Sequence, residues 1–166
     1  MTRSPFSQLG RITDGSRLMI LLAALVALLV AGSAFGHAEL RSSDPEDGAY
    51  VTSLESITAE FTEPVEVPFS TFRFVALDIE PGEDPEDISD RERQRINGMA
   101  APLASELVRE RDGENLASLL TTDNRSATVT FEVDPELSPG VYLFAWRVLS
   151  IDTHITEGFV TFILGE

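Results

Sequence analysis

Three stretches of this chain alternate apolar and polar residues with a period of two. Ser56–Thr62 places Ile57, Ala59 and Phe61 against polar neighbours. Ser70–Asp78 sets Phe72, Phe74 and Ala76 against Thr71, Arg73 and Val75. Ser126–Val133 repeats the pattern with Ala127, Val129, Phe131 and Val133. Successive side chains of a strand point to opposite faces, so each stretch predicts a strand buried on one face. Val141–Ser150, "VYLFAWRVLS", is apolar on both faces and predicts a central strand. "AELRSS" adds a short strand at the start, and "GFVTFIL" one at the end. Pro- and Gly-bearing turns separate them, as in "DPEDGAYV" and "DPELSPG". Short strands between such turns imply an all-β fold, an antiparallel sandwich.

One region breaks the pattern. Glu80–Asp90, "EPGEDPEDISD", is acidic and rich in turn formers, which predicts a solvated loop. Helix formers follow, interrupted by Pro102 and Gly113, and two short helices are expected at Asp87–Asn97 and Pro102–Arg111. The segment 80–124 thus reads as an insertion between strands.

The chain has 166 residues, enough for one domain and an appendage. Leu18–Ala31, "LMILLAALVALLVA", is an unbroken apolar run preceded by Arg3, Arg11 and Arg17. A membrane-spanning helix needs about 20 apolar residues. This shorter run fits the core of a secretory signal, and Ala34-Phe35-Gly36 supplies small residues at −3 and −1. Residues 1–36 are therefore expected to be a cleaved signal peptide, and 37–166 the mature domain, periplasmic or secreted, beginning at His37. An uncleaved signal anchor is the alternative; there, His37 is an ordinary residue of a tether. Cysteine is absent, which excludes a disulfide framework and a lipid-modified N-terminal cysteine.

Residues 37–166 hold nine Arg, no Lys and 27 acidic residues, a net of −18. Nucleic acid and anionic lipid both require a basic footprint, so neither is an expected partner. The acidic surface suits a salty medium, where screening weakens self-repulsion. A general attraction for cations is the other reading.

The chain has two histidines, His37 and His154. An N-terminal histidine offers a metal both its α-amine and its imidazole Nδ1, in a six-membered chelate ring. Amines of this kind titrate near 7.7–8.0 and imidazoles near 6.5, so both donors are available near neutrality. Asp152 lies two residues before His154; in extended chain such side chains share a side. Amine, two imidazoles and one carboxylate form a nitrogen-rich set suited to Cu(II). The bland reading of His154 is a solvated loop histidine.

The sequence resembles the copper resistance protein CopC family of periplasmic copper-binding domains. The stretches that carry the resemblance are "HAELRSSDPEDGA", "AEFTEPVE" and "LSPGVYLFAWRVLSIDTHITEGFVTFIL". They bracket the mature domain except for residues 80–124. The resemblance implies an immunoglobulin-like or cupredoxin-like Greek-key β-sandwich holding one Cu(II) ion without catalysis. It implies His37, Asp152 and His154 as metal ligands. Glu63, in "FTEP", stands where some members place a further carboxylate; its alternative is a surface residue at a strand end. A monomer is expected, acting in copper sequestration, resistance or delivery to an inner-membrane copper transporter. Met99 is the one methionine after residue 36, too few thioethers for the Cu(I) site of some relatives. Trp146 is expected between the sheets, and Arg147 on the opposite face, either orienting Asp152 or in a plain surface ion pair.

Two other functions compete. A terminal-histidine copper centre also serves oxidative polysaccharide-cleaving enzymes, but an equatorial Asp152 would occupy the position oxygen needs. A metal-free immunoglobulin-like interaction module is the third reading. No Ser-His-Asp or Cys-His set is feasible and no phosphate-cradling Gly loop is present.

Overall fold

A computed structural model describes residues 38–82, 85–110 and 112–166. Residues 1–37, which hold the expected signal peptide and His37, lie outside the described residues, as do positions 83, 84 and 111. Eight strands are described: β1 (Leu40–Asp44), β2 (Tyr50–Val51), β3 (Ser56–Glu66), β4 (Thr71–Leu77), β5 (Ala117–Leu119), β6 (Arg125–Val133), β7 (Gly140–Leu149) and β8 (Ile155–Leu164). One helix, α1 (Asp90–Leu107), stands between β4 and β5. The strands form two four-stranded sheets, ordered β1-β3-β6-β5 and β2-β8-β7-β4. All neighbours pair antiparallel except β2 with β8. The expected β-sandwich is the observed fold.

The period-2 residues explain the layering. Ile57, Ala59, Phe61, Phe72, Phe74, Val129, Phe131 and Val133 form the core between the sheets, joined by Phe144, Trp146 and Phe162. A second apolar layer lies on the outer face of the β2-β8-β7-β4 sheet. There Val75, Leu77, Val141, Leu143 and Ala145 meet Ile96, Ala100, Ala104 and Val108. This layer is why β7 is apolar on both faces: it is central, and α1 covers its outer side. It also corrects the reading of β4. Val75 is buried beneath the helix, whereas Ala76 is exposed.

The two expected helices are one. Ser89 caps α1, its hydroxyl accepting from Glu92 N at 3.3 Å, and Asp90 and Glu92 place negative charge in the first turn. Pro102 lies inside α1 on its exposed side, with no N–H for the carbonyl of Gly98. The helix continues through it because Ile96, Ala100, Ala104 and Val108 repeat every four residues and bury one continuous stripe. A partly buried polar knot also ties α1 to the sheet. Thr161 donates to Asn97 Oδ1 at 2.7 Å, Asn97 to Asp47 Oδ2 at 3.2 Å, and Thr161 N to Asp47 Oδ1 at 2.9 Å. The three-residue strand β5 falls within the stretch expected to be an insertion with helical character. It is too short to show alternation.

Candidate metal centre

The "FTEP" stretch leaves the β3–β6 ladder. Glu60 pairs with Thr128 but Val65 with Ser126, so residues 61–64 face Ala127 alone. Such bulges bend a strand and redirect its side chains. Here β3 turns toward the other sheet. Val65 bridges to Ser150, and Ile151 N donates to Pro64 O at 3.4 Å. Glu63 therefore stands beside the loop that joins β7 to β8. Its Oε1 is buried without a hydrogen-bond partner. An uncompensated buried carboxylate oxygen is costly, and such an atom calls for a cation or a donor.

That joining loop, Ser150–His154, carries Asp152 and His154. Ser150 N donates to His154 O at 2.9 Å and Thr153 N to Ser150 O at 3.0 Å, closing a tight turn. Ser150 is almost fully buried, and its hydroxyl donates to Asp152 Oδ1. His154 N donates to the same oxygen at 3.1 Å. His154 Nδ1–H donates to Asp152 Oδ2 at 2.7 Å. The Ser150 hydroxyl is the first cause that lowers the Asp152 carboxyl, from its ordinary 3.8 to about 2; the His154 amide and ring add to it against partial desolvation. Asp152 thus stays ionised through any mild acid condition.

The sign of the resulting pH effect is fixed. A depressed carboxyl contributes stability that is present above its unfolded value of 3.8 and is lost as pH falls toward 2. In metal-free protein, the stability gap between wild type and Asp152→Asn is expected to be flat above about pH 5 and to close between pH 4 and 2. Thermal melts across that range check it.

Thr153 has φ 73°, in the left-handed region that a β-branched residue adopts only under strain. Asn tolerates that conformation. Thr153→Asn is expected to stabilise the protein by about 0.5–1 kcal/mol, read as a rise in denaturation midpoint.

The start of the described chain meets the same end of the sandwich. Ala38 is fully buried, and its carbonyl accepts from Thr156 Oγ1 at 2.7 Å, two residues beyond His154. Glu39 N donates to Thr62 Oγ1 at 3.0 Å, and Thr62 N to Glu39 O at 2.8 Å, one residue before Glu63. Ala38, Glu63, Asp152 and His154 are thereby brought to one pole. Among the described residues no group of three or more His, Asp or Glu side chains is placed to hold a metal. His37, the residue before Ala38, lies outside the described residues. The donor types present, a carboxylate and an imidazole near the unpartnered Glu63 Oε1, suit a cation; Asp152 Oδ2 and His154 Nδ1 are here hydrogen-bonded to each other at 2.7 Å.

Trp146 is buried between the sheets as expected. Arg147 does not touch Asp152. Its Nε donates to Glu157 Oε1 at 3.0 Å, because the β7–β8 register sets Arg147 directly opposite Glu157. The sequence reading assigned no role to Ser150 or Thr156. Ser150 was visible as the first residue of "SIDTH", but its hold on Asp152 depends on burial that no local pattern reveals.

A family model described as the CopC domain matches residues 97–165. The chain is 30% identical over 138 residues to "Copper resistance protein C" of Xanthomonas campestris pv. juglandis, across 83% of this chain and 87% of that protein. It is also 30% identical over 146 residues to "Protein YobA" of Escherichia coli K12, across 85% and 89% of the two. The crystal structure of selenomethionine PcoC, a copper resistance protein from Escherichia coli, shares the fold. Its TM-score is 0.50 at 22% identity, covering 76% of this chain and 99% of that one. With relatives 30% identical across most of both lengths, the chain belongs to the CopC family.

Proposed function

We propose that this protein is exported, is cut after Gly36, and binds one Cu(II) ion through the His37 amine and imidazole, Asp152 and His154, with Glu63 as an additional carboxylate. The family is one of copper resistance proteins and not of enzymes. The single observation that carries the reading is the convergence at one pole. Ala38 is pinned to Thr156 at 2.7 Å, and Asp152 and His154 stand beside each other in the adjoining loop.

The residues divide the work. Asp152 Oδ1 stays on Ser150 and the His154 amide, which fixes the carboxylate. Asp152 Oδ2 accepts the proton of His154 Nδ1; ligation through Nδ1 would leave the ring proton on Nε2, and ligation through Nε2 would keep this hydrogen bond in place. The ligand set is open to solvent at a loop, with the His154 side chain 56% exposed. Such a site suits uptake and release, hence sequestration or hand-over to a membrane copper transporter, by a monomer. Among the described residues no helix is long and apolar enough to cross a membrane. Proton competition at the nitrogen donors weakens binding as pH falls.

The test is mass spectrometry of the exported protein followed by copper titration under electron paramagnetic resonance. A chain beginning at His37 that takes up one Cu(II) with a tetragonal spectrum is the expected result. A different first residue, or copper left as the free ion at equimolar protein, overturns the reading.

A further inference from the structure

A second feature lies on the outer face of the β2-β8-β7-β4 sheet, past the C-terminal end of α1. A cleft of about 830 Å³ opens there, within the range of small-ligand sites. Its lining includes Thr71, Arg73, Arg109 and Arg147, with Glu110 as the one acidic residue. Three of the nine arginines after residue 36 thus line one cleft, on a domain of net charge −18. Phe69, 71% exposed, and Leu119, 47% exposed, form an apolar rim.

The arginines are held in place. Arg73 donates from Nη1 to Phe72 O at 3.2 Å and from Nη2 to Glu110 O at 2.7 Å. Arg109 grips the Glu157 carboxylate from the side, Nε to Oε1 at 3.4 Å and Nη2 to Oε2 at 3.0 Å. Arg147 reaches Glu157 through Nε alone, at 3.0 Å. Its end-on fork, Nη1 and Nη2, has no hydrogen-bond partner among the described residues and belongs to the lining of the cleft. Glu157 therefore uses one edge of a guanidinium and leaves the edge that matches a second planar carboxylate.

We propose that this cleft binds a small di- or tricarboxylate, one carboxylate received end-on by Arg147 and the rest held by the positive charge of Arg73 and Arg109. The planar fork selects for carboxylate geometry, and the fixed guanidiniums lose little entropy on binding. The arginines recognise the charge, and Phe69 and Leu119 give the cleft an apolar edge. This site is separate from the metal pole and does not depend on the copper reading.

The probe is citrate, titrated into metal-free protein at constant ionic strength and followed by amide and arginine Nε nuclear magnetic resonance shifts. Saturable shifts confined to Thr71, Arg147 and Val108–Glu110 are expected, with dissociation in the millimolar range or tighter. Arg147→Lys keeps the charge, loses the fork, and is expected to weaken citrate at least about tenfold. Arg125→Gln, at the Glu66 ion pair of the other sheet, is expected to leave it unchanged. No saturation up to about 10 mM, or shifts spread equally over Arg41 and Arg125, overturns the proposal. So does inorganic phosphate binding as tightly as citrate, since that removes the carboxylate preference. The location of the wild-type shifts decides the matter even if a variant fails to fold.

Discussion

His154→Ala is expected to lower the Cu(II) affinity of a chain beginning at His37 by more than about 100-fold, beyond the 10–100-fold typical of losing a residue that only orients a ligand. The side chain is more than half exposed and lies in a loop, so losing its hydrogen bond to Asp152 is expected to cost no more than about 1 kcal/mol of folding stability. Binding and folding are thereby separable. Adding one residue ahead of His37 abolishes the chelate of amine and ring while leaving both imidazoles in the chain, and is expected to cost at least as much. Ser150→Ala distinguishes positioning from ligation. Its hydroxyl reaches Asp152 Oδ1 and, at 3.2 Å, His154 O, but no metal donor is removed. A 10–100-fold loss with an unchanged spectrum is expected there. Competition titration with a chelator of known strength measures all three. An unchanged affinity in His154→Ala removes the metal centre from this pole.

What the sequence discloses follows from the range of each physical signal. Alternation over seven or more residues fixes one face of a strand, so β3 and β6 were legible. The second apolar layer was half legible. β7 shows apolar residues on both faces, which implies a cover, but Val75 reads as a solvent-side residue because no local pattern signals α1 above it. α1 itself looked divided at Pro102, because local propensity does not register a stripe that buries Ile96, Ala100, Ala104 and Val108 together. β5 spans three residues and has no period to read. At the candidate site, Asp152 and His154 could be singled out from spacing and from the resemblance. The partner of Arg147 could not, since it follows from the cross-strand register with Glu157. Nor could the positive φ of Thr153, which the closure of the turn imposes on a residue with no preference for it.

Trp146→Ala is the substitution expected to cost most in stability, about 3–5 kcal/mol. The indole is almost fully buried and meets Phe61 edge-on, ring centres 6.1 Å apart at 77°, and Phe144 at 6.0 Å. A domain of this size has only about 5–15 kcal/mol in total, so the variant sits near the limit of folding. The fit can be tested from the opposite side. Gly158 pairs across strands with Trp146, and a Cβ there would lie 2.5 Å from Cζ2 and 2.8 Å from Cε2 of the ring. Those are atoms of a rigid buried ring system, so nothing flexible can yield. Gly158→Ala is expected to destabilise by about 1–3 kcal/mol through overpacking, although alanine is otherwise the milder residue in a strand. The double variant Trp146→Phe/Gly158→Ala removes the clash by shrinking the ring. It is expected to be more stable than the sum of the two single changes predicts, the coupling that neighbours in contact show. Urea denaturation with an unchanged slope measures each. Strict additivity would mean that the glycine is there for some reason other than the tryptophan.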